Sequence, residues 1–525
     1  MAEYNFSELQ NGSDIRGVAI AGVPGEDVNL DETAVSRVAK AFLLWLCEKT
    51  GKGTDELTVS IGRDTRLSGG ALTETFTEAI APYGVTILNC GMASTPAMFM
   101  STLFADYRAD GAVMLTASHL PYNRNGMKFF TSGGGLEKSD ISAILGIAAD
   151  DKRLAELKPS VAHFLNYPNL MKDYSEHLRA LIRDAVGSEN PLAGLKIAVD
   201  AGNGAGGFFA VNVLEPLGAD VSASRYLDPD GNFPNHVPNP ENKEAMASIR
   251  EAVLEGGCDL GLIFDTDVDR SAAVDENGRE IGRNGIVAMA AALIAEDNPG
   301  TFVVTDSITS NELTDFLENE LRVKHFRYKR GYRNVINKSI ELNAEGRDSQ
   351  LAIETSGHCA FRDNYFLDDG AYLAAKIVIK TALLHKEGKK ISSVIAGLRE
   401  PEESIEIRMP LNADDFSTAG DRVIETLKNR ITGSDPDHAA GTRTEGVTEN
   451  DAAENVDITV VEPNYEGVRV AFSGDLNGWF LLRKSLHDPI MPLNIESENA
   501  GGCRKIAAMI RECLRDIPEI DISGL

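Results

Sequence analysis

Residues 111–130 read GAVMLTASHLPYNRNGMKFF, and this stretch indicates how the chain is organised. Its residues 112–115 form an apolar run typical of a strand buried on both faces of a sheet. The small residues 116–119 end this run, and the proline, asparagines and glycine after them favour a loop. A hydroxyl at Ser118, beside an imidazole and followed by Lys128, predicts a phosphate-transfer or nucleophile site at the end of the strand. An ordinary junction between a strand and a loop is the alternative.

Strand-like segments that run directly into polar motifs recur along the chain. After TASH at 116–119, similar segments lead into DTDVD at 265–269 and ETSGH at 354–358. Helix-like stretches at 35–47 and 71–83 separate the strands, as expected for parallel βαβ units. Ligands bind beyond the carboxyl ends of strands in such sheets. We therefore expect the three motifs to face one central cleft.

The chain has 525 residues, which is long enough for several domains. We predict three related mixed α/β domains at 1–170, 171–280 and 281–400, and a C-terminal α+β domain at 401–525. The last assignment depends on short alternating segments such as ESIEIRMP and EGVRVAF, which are typical of an antiparallel sheet. Residues 432–457 are polar and are predicted to form an exposed insertion of unknown role.

The composition is that of an ordinary globular protein, with 43% hydrophobic and 25% charged residues. The net charge of −29 argues against binding to nucleic acid or to anionic membranes, because contacts with phosphates need a basic surface. The six cysteines are scattered and none forms a CxxC pair, which favours a reducing, cytoplasmic location. We expect neither a secretory signal nor a membrane span, which would need roughly 18 apolar residues.

The segment FDTDVDR at 264–270 predicts a metal site. Asp265, Asp267 and Asp269 occupy alternate positions after a strand, and oxygen ligands of this kind suit Mg²⁺. An EF-hand is a poor alternative, because Arg270 stands where that loop needs glycine and because a strand precedes the motif. A solvated acidic turn remains possible.

Two further motifs come from the residues alone. RKSLHDP at 483–489 follows an apolar segment, and an arginine and a serine on a turn form a natural phosphate cradle. GNGAGG at 202–207 matches the dinucleotide fingerprint. We interpret it as a structural turn, because Asp200 just before it is unfavourable to a pyrophosphate and because the strand expected near 220–227 gives no clear ribose-binding acid.

Taken in order, four of these motifs resemble those of the α-D-phosphohexomutases, the family of phosphoglucomutases and phosphomannomutases. TASHLPYNRNGMK resembles the active-serine loop, FDTDVDR the metal loop, IETSGH the sugar-binding loop and RKSLHDP the phosphate-binding loop. The resemblance implies the four-domain fold predicted above. It also implies that Ser118 carries a phosphoryl group, and that one Mg²⁺ per chain is bound by Asp265, Asp267, Asp269 and an oxygen of the modified Ser118.

The same resemblance implies the remaining site residues. Catalytic roles fall to Arg16, Ser118, His119, Lys128 and Arg270. Sugar contacts fall to Glu354, Ser356 and His358, with Tyr332 and Arg333 in a segment over the sugar, and phosphate contacts to Arg483, Lys484, Ser485 and His487. Lys128 is the first candidate for the general acid/base, because nearby positive charge would favour loss of its proton, and His119 and His358 are the others.

The implied activity is reversible phosphoryl transfer between O1 and O6 of glucose or mannose phosphate. It would pass through the phosphoserine and a hexose 1,6-bisphosphate, which also serves as activator. A phosphoglucosamine mutase is an alternative, although Thr355 argues against it, and a non-catalytic sugar-phosphate-binding protein is another. The third alternative is an oxidoreductase that binds a nucleotide cofactor at the GNGAGG turn. We expect a cytoplasmic monomer or homodimer that binds small sugar phosphates.

Overall fold

The computed structural model describes residues 5–160, 164–413, 415–433, 456–474, 476–485 and 488–525. The chain divides into two compact units. The first contains Met1–Val303, Leu321–Lys324 and Ile336–Ala396, and the second contains Val304–Glu320, His325–Val335 and Gly397–Leu525. The predicted insertion at 432–457 lies outside the described residues, apart from 432–433 and 456–457.

An eight-stranded sheet lies in the N-terminal part of the first unit. Its main strands lie in the order Gln10–Asn11, Asp14–Val18, Arg124–Thr131, Gly111–Leu115, Thr58–Arg63, Thr86–Met92 and Phe164–Asn166, and Gly134–Gly135 pairs with Arg124–Thr131. The strand Gly111–Leu115 is buried along its whole length, which confirms the prediction from its apolar run. It pairs in parallel with Thr58–Arg63 and antiparallel with Arg124–Thr131, so the chain returns beside its own strand after the loop that bears Ser118.

Helices cover this sheet because their apolar residues recur on one face. The helices of this part are Glu32–Thr50, Gly69–Ile80, Thr95–Met100, Lys138–Ala149, Asp151–Leu154 and Leu170–Val186. In Glu32–Thr50, the Asp31 side chain caps the N-terminus by accepting from the Ala34 amide at 2.9 Å. Phe42 of this helix lies 4.7 Å from Phe129 of the sheet, measured between ring centroids. Burial of a side chain of this size stabilises the fold by roughly 1.5–3 kcal/mol.

A second, four-stranded sheet has the order Glu280–Ile281, Ser271–Asp275, Leu260–Phe264 and Ile197–Asp200. The strand Leu260–Phe264 pairs in parallel with Ile197–Asp200 and antiparallel with Ser271–Asp275. The prediction of a strand at 220–227 is wrong, because this segment makes only isolated bridges at Asp220 and Arg225. The Asp220 side chain accepts from the Ser222 amide and turns the backbone between those bridges. The sheet is accompanied by the α-helix Lys243–Gly256 and the π-helix Phe209–Leu214.

The next part of the chain contains the strands Phe302–Thr305, Lys324–Arg327, Ser349–Ile353 and Cys359–Phe361. Its α-helices are Asn284–Ala295, Asn311–Asp315, Tyr332–Ala344 and Gly370–Lys386. The last two strands pair antiparallel, with Ile353 opposite Cys359, so the loop that contains ETSGH is the connection of a hairpin.

The C-terminal part belongs to the second unit and contains a five-stranded antiparallel sheet. Its strand order is Glu403–Pro410, Ile490–Ser497, Gly478–Leu482, Val468–Phe472 and Ile458–Val460. The helices Phe416–Ile431 and Gly502–Leu514 contribute to its apolar core. This confirms the predicted fold class of α/β domains followed by an α+β domain, whereas the exact domain boundaries stay a prediction. Among the helices described, none combines the length and apolar character that crossing a membrane requires.

Candidate active site

Ser118 lies just beyond the carboxyl end of the strand Gly111–Leu115, where its backbone adopts a left-handed φ of +50°. Its amide donates to Thr116 Oγ1 at 2.8 Å, and the Arg16 guanidinium donates to the Ala117 carbonyl at 2.9 Å. Only 3% of Ser118 is exposed. The predicted residue Arg16, on the strand Asp14–Val18, therefore contacts the loop of Ser118, and an unusual backbone conformation directs the hydroxyl.

Arg66 was not among the predicted residues, and it supports this loop from inside the protein. Arg66 is almost fully buried and donates to the carbonyls of Pro121 at 2.8 Å and Leu120 at 2.6 Å. It also donates to the carbonyls of Ser118 and Arg124. One guanidinium thus satisfies four carbonyls of the serine loop and fixes its shape. No local signal identified it, because Arg66 reads as part of a charged turn in the sequence.

The carboxylates of Asp265, Asp267 and Asp269 converge, with one ligand atom of each within 4.8 Å of the others. All three residues are buried, and their loop follows the strand Leu260–Phe264. Val268 within the loop has a left-handed φ of +68°, which costs a β-branched residue on the order of 1–3 kcal/mol. The Val268 carbonyl accepts from the Gly370 amide at 3.1 Å, so tertiary contacts hold this strained residue in place.

Arg270 connects the acidic loop to the serine loop. Its Nη2 donates to Ser118 Oγ at 2.8 Å and to Asp265 Oδ2 at 3.0 Å, and it lies 2.6 Å from His119 Nδ1. Ser118 Oγ also donates to Asp265 Oδ2 at 2.9 Å. The structure thus brings Ser118, His119, Asp265 and Arg270 into one hydrogen-bonded cluster.

The charges of this cluster follow from its burial. Burial, followed by the charges of Asp269 and Asp267, raises the pKa of Asp265 well above its ordinary value. Burial also tends to raise the pKa of Asp269. The positive charges of Lys128, His358 and Arg270 outweigh this effect and lower the pKa of Asp269 far below its ordinary value. Burial and the charge of Arg270 lower the pKa of His119 to about 2, so this imidazole is neutral at neutral pH. A neutral imidazole that accepts from Arg270 helps to orient the guanidinium.

Lys128 was expected to lie near positive charges, but it lies among carboxylates. Its ammonium donates to Asp267 Oδ2 at 2.9 Å and also contacts Asp269. Lys128 therefore neutralises part of the acidic cluster. Thr95, another residue that the sequence analysis missed, donates from its hydroxyl to the same carboxylate of Asp267.

The acidic cluster fits a hard cation. Asp267 Oδ1 and Asp269 Oδ1 are buried, and no hydrogen-bond donor among the described residues reaches either atom. Buried carboxylate oxygens without donors are unfavourable unless a cation binds them. Lys128 and Arg270 contact these carboxylates, and His358 Nδ1 lies 3.9 Å from Asp269 Oδ1. The set of oxygen ligands suits a divalent ion.

The hairpin loop that contains Glu354 and His358 lies beside the acidic cluster. His358 Nδ1 lies 2.6 Å from Asp368 Oδ2 and 3.9 Å from Asp269 Oδ1. Burial favours the neutral imidazole, but Asp368 and Asp269 outweigh it and raise the pKa of His358 to about 9. Asp368 is a further residue that sequence reasoning missed. Two adjacent acidic residues before a helix give no sign that the first of them pairs with a histidine ten positions earlier.

The tip of this loop packs tightly against the strand that follows Arg270. Gly357 has a φ of +94°, and a Cβ atom there would lie 2.5 Å from the Ser271 carbonyl oxygen, so only glycine fits. Ser356 Oγ is buried, and within the described part of the chain it has no hydrogen-bond partner. Glu354 is also buried. Buried polar groups at this position are suited to hydrogen-bond a polar ligand.

Other predicted residues belong to the second unit. Arg483, Lys484 and Ser485 follow the strand Gly478–Leu482, and Tyr332 and Arg333 begin the helix Tyr332–Ala344. His487 lies outside the described residues. Arg483 is buried, with 6% of its surface exposed, which is unusual for an arginine on a turn.

The glycine-rich turn at 202–207 has a structural contact with the acidic loop. The Ala205 amide donates to the Thr266 carbonyl at 2.8 Å, and the Asn203 amide donates to the Tyr226 carbonyl at 2.9 Å. Asp200 before the turn accepts from Ser248 Oγ at 2.6 Å and pairs with His236. These contacts favour the interpretation of this segment as a structural turn.

Three family models match consecutive parts of the chain. They are described as phosphoglucomutase/phosphomannomutase alpha/beta/alpha domains I, II and III, and they match residues 7–154, 172–278 and 283–401. Together they cover more than half of the 525 residues.

Individual proteins resemble the chain over most of its length. A phosphomannomutase/phosphoglucomutase of Pseudomonas putida is 28% identical over 467 residues, which cover 88% of this chain and 89% of that protein. A phosphoglucomutase/phosphomannomutase of Thermococcus kodakarensis is 32% identical over 345 residues, which cover 66% of this chain and 72% of that protein. The solved structure of a phosphoglucomutase/phosphomannomutase family protein from Burkholderia thailandensis has a TM-score of 0.73 at 24% identity and covers 98% of each chain, which supports the fold.

Proposed function

The chain belongs to the α-D-phosphohexomutase family, as its motifs predict, and on this premise we propose that it is a phosphoglucomutase/phosphomannomutase. The reaction is the reversible transfer of a phosphoryl group between O1 and O6 of glucose or mannose phosphate. One observation carries the proposal: the Ser118 hydroxyl lies within hydrogen-bond distance of both Arg270 and Asp265, beside three convergent carboxylates.

The reaction begins with Ser118 in its phosphorylated form. The free hydroxyl of a sugar monophosphate attacks the phosphorus, the bond between phosphorus and Ser118 Oγ breaks, and a hexose 1,6-bisphosphate forms. The proton of the attacking hydroxyl passes to a general base. Lys128, His119 and His358 are the candidates, and the ion pairs of Lys128 with Asp267 and Asp269 favour its protonated form, which suits the return step as general acid. The bisphosphate then turns end for end, and Ser118 Oγ takes the other phosphoryl group. Added hexose 1,6-bisphosphate activates the enzyme because it phosphorylates Ser118.

The residues around Ser118 stabilise the charge of the transferring group. The Arg270 guanidinium already contacts Ser118 Oγ, so it is in place to bind phosphoryl oxygens. Asp265, Asp267 and Asp269 would hold Mg²⁺, together with an oxygen of phosphorylated Ser118. When bound, the ion neutralises charge on the phosphoryl group. Arg16 supports the backbone of the serine loop through the Ala117 carbonyl.

Residues of the hairpin loop and of the second unit bind the rest of the substrate. Glu354 and Ser356 bind sugar hydroxyls. A sugar with the wrong stereochemistry would leave one of these buried polar groups without a hydrogen-bond partner, and this discriminates against it. Arg483 and Ser485 bind the phosphate that does not react, with Lys484 beside them. The net charge of −29 argues against nucleic acid as a partner, so small sugar phosphates are bound in a local basic site against the overall charge. We propose a cytoplasmic monomer or homodimer.

The test is a steady-state assay of the conversion of glucose 1-phosphate to glucose 6-phosphate. It contains Mg²⁺ and a trace of glucose 1,6-bisphosphate, with mannose 1-phosphate and glucosamine 1-phosphate assayed in parallel. Ser118→Ala is expected to abolish turnover. The matched control Ser142→Ala removes an exposed hydroxyl from the helix Lys138–Ala149 and is expected to keep activity.

The ratio of rates on the three sugars identifies the substrate. Preference for glucosamine phosphate would replace the proposed substrate by the amino sugar. Binding of sugar phosphates without turnover on any of them would instead identify a non-catalytic binding protein.

A further inference from the structure

A buried guanidinium in the second unit has a donor that no acceptor in the described part of the chain reaches. Arg483 follows the strand Gly478–Leu482, and its amide donates to the Pro492 carbonyl at 3.1 Å. The Ser485 amide donates to the Ile490 carbonyl at 3.0 Å, so two backbone bonds fix this turn. Arg483 Nε is buried, and no acceptor among the described residues reaches it. A buried cationic donor without an acceptor among the described residues is suited to bind an anion.

Glu466 connects this turn to a segment that is distant in the sequence. One oxygen of Glu466 accepts from Ser307 Oγ at 2.5 Å and from the Arg330 amide at 3.2 Å. The next residue, Gly467, packs directly against Arg483, since a Cβ atom on Gly467 would lie 2.9 Å from Arg483 Cα. Glu466 therefore attaches the backbone of Arg330 to the strand that lies beside Arg483.

Arg469 provides a second attachment between the same segments. It is 2% exposed and donates to the carbonyls of Ser307 at 3.0 Å and Thr309 at 3.1 Å. Its guanidinium carbon lies 3.6 Å from the centroid of the Trp479 ring. Two attachments, from the half-buried Glu466 and the buried Arg469, thus hold residues 307–309 and the backbone of Arg330 on the C-terminal sheet.

The contact of Glu466 with the Arg330 amide and the packing of Gly467 against Arg483 place Arg330 near Arg483. Burial and, next, the charge of Arg330 lower the pKa of Arg483, whereas Glu466, Asp306 and Glu406 act in the opposite direction. These carboxylates offset part of the repulsion between the two guanidiniums, and a bound anion would offset more of it. A phosphate monoester carries a charge near −2 above its second pKa of about 6, so it matches two guanidiniums.

We propose that Arg330 is a second guanidinium of the phosphate cradle formed by Arg483 and Ser485, and that Glu466 is the positioning residue that holds it there. The ligand is a dianionic phosphate monoester. Its identity as a sugar phosphate rests on the proposed function, whereas the phosphate site itself does not.

Calorimetric titration of the full chain tests this inference. We use Ser118→Ala, which prevents turnover, and titrate glucose 6-phosphate and, separately, inorganic phosphate. Arg330→Gln is expected to weaken binding of glucose 6-phosphate about ten- to a hundredfold, the loss typical of a hydrogen bond between charged groups. The control Arg422→Gln removes an exposed positive charge from the same unit and is expected to keep the affinity.

Two further measurements separate binding from a general structural effect. Between about pH 5 and pH 7, affinity should rise as the ligand becomes dianionic, and Arg330→Gln should reduce this rise. Glu466→Gln should weaken binding in the chain that keeps Arg330 and have little further effect in the Arg330→Gln chain. Arg330→Lys keeps the charge but loses the fork geometry, and an intermediate affinity is expected.

The outcomes distinguish this inference from the proposed function. If Arg330→Gln binds glucose 6-phosphate as tightly as its parent, the role of Arg330 is refuted and the mutase proposal stands. If the parent binds no sugar phosphate but binds inorganic phosphate in a manner that depends on Arg330, the mutase proposal fails and the two-arginine site stands. If the parent binds neither glucose 6-phosphate nor inorganic phosphate, both the mutase proposal and the two-arginine site are refuted.

Discussion

Arg270 Nη2 lies 2.8 Å from Ser118 Oγ, although 152 residues separate the two in the sequence. The same nitrogen contacts Asp265 at 3.0 Å. One buried guanidinium therefore connects the serine that is proposed to carry the phosphoryl group with the carboxylates that are proposed to bind the metal. A donor fixed in this way needs little rearrangement when charge develops on the phosphoryl oxygens.

We first predict that Arg270→Lys lowers kcat about 10²- to 10³-fold, the loss typical when one fixed donor is removed from charge in a transition state. A lysine keeps the charge but cannot contact Ser118 and Asp265 with the same planar geometry. Steady-state kinetics on glucose 1-phosphate measure the effect. Arg250→Lys, at an exposed position of the helix Lys243–Gly256, is the control. Nearly unchanged kcat in Arg270→Lys would contradict the role assigned to Arg270.

Arg66→Met is predicted to destabilise the protein strongly. The substitution removes the buried donor of four carbonyls, including those of Pro121 and Leu120, and leaves Asp64 buried without its cation. Loss of one partner of a buried ion pair typically costs about 3–5 kcal/mol. Thermal unfolding monitored by circular dichroism should show a clearly lower Tm. Arg63→Met, three positions earlier and only partly buried, should have a smaller effect, and equal shifts would refute the prediction.

The acidic cluster is predicted to bind Mg²⁺ and to stabilise the folded chain. A ligand present at about 100 times its Kd adds about 2.7 kcal/mol to the free energy of unfolding. The Tm should therefore rise when millimolar Mg²⁺ replaces EDTA. In Asp267→Asn this rise should disappear, because one ligand is lost. Asp275→Asn, outside the cluster, serves as the control for charge. A rise of Tm that is unchanged in Asp267→Asn would exclude this cluster as the binding site.

The pH dependence of stability should depend on Glu496 of the second unit. Burial and, next, the charge of Glu312 raise the pKa of Glu496 to about 7, above the ordinary value of 4.5. The folded state therefore binds this proton more tightly than the unfolded state does. The resulting stability is present below about pH 4.5, is lost as the pH rises toward 7, and amounts to about 3 kcal/mol.

Glu496→Gln should remove most of this pH dependence. Gln can still accept the hydrogen bond that Trp479 Nε1 donates at 3.0 Å. Calorimetry at about pH 5 and pH 8 should show that the variant loses less Tm than the wild type over this interval. Glu402→Gln, at an exposed position, should behave like the wild type. Parallel losses of Tm in the wild type and in Glu496→Gln would contradict the assignment.

The sequence by itself determined the features that contiguous residues encode. The apolar run at 111–115 requires a buried strand, and the carboxylates of 265–269 require charge compensation, whichever way the rest of the chain folds. For this reason the fold class, the family and the loops that carry Ser118 and the acidic cluster were predictable. Hydrophobic periodicity and residue chemistry are local properties, and they remain visible without any structure.

The tertiary structure alone decided which distant residues meet. Arg66 reads as a solvated residue of a charged turn, and only the return of the chain after Ser118 brings four carbonyls to its guanidinium. The segment at 220–227 has the composition of a strand, yet a side-chain bond of Asp220 turns its backbone. The pairs Arg270 with Ser118 and Glu466 with Arg330 likewise depend on contacts across 152 and 136 residues. No local pattern specifies such pairs, because their free energy comes from packing and burial that exist only in the folded chain.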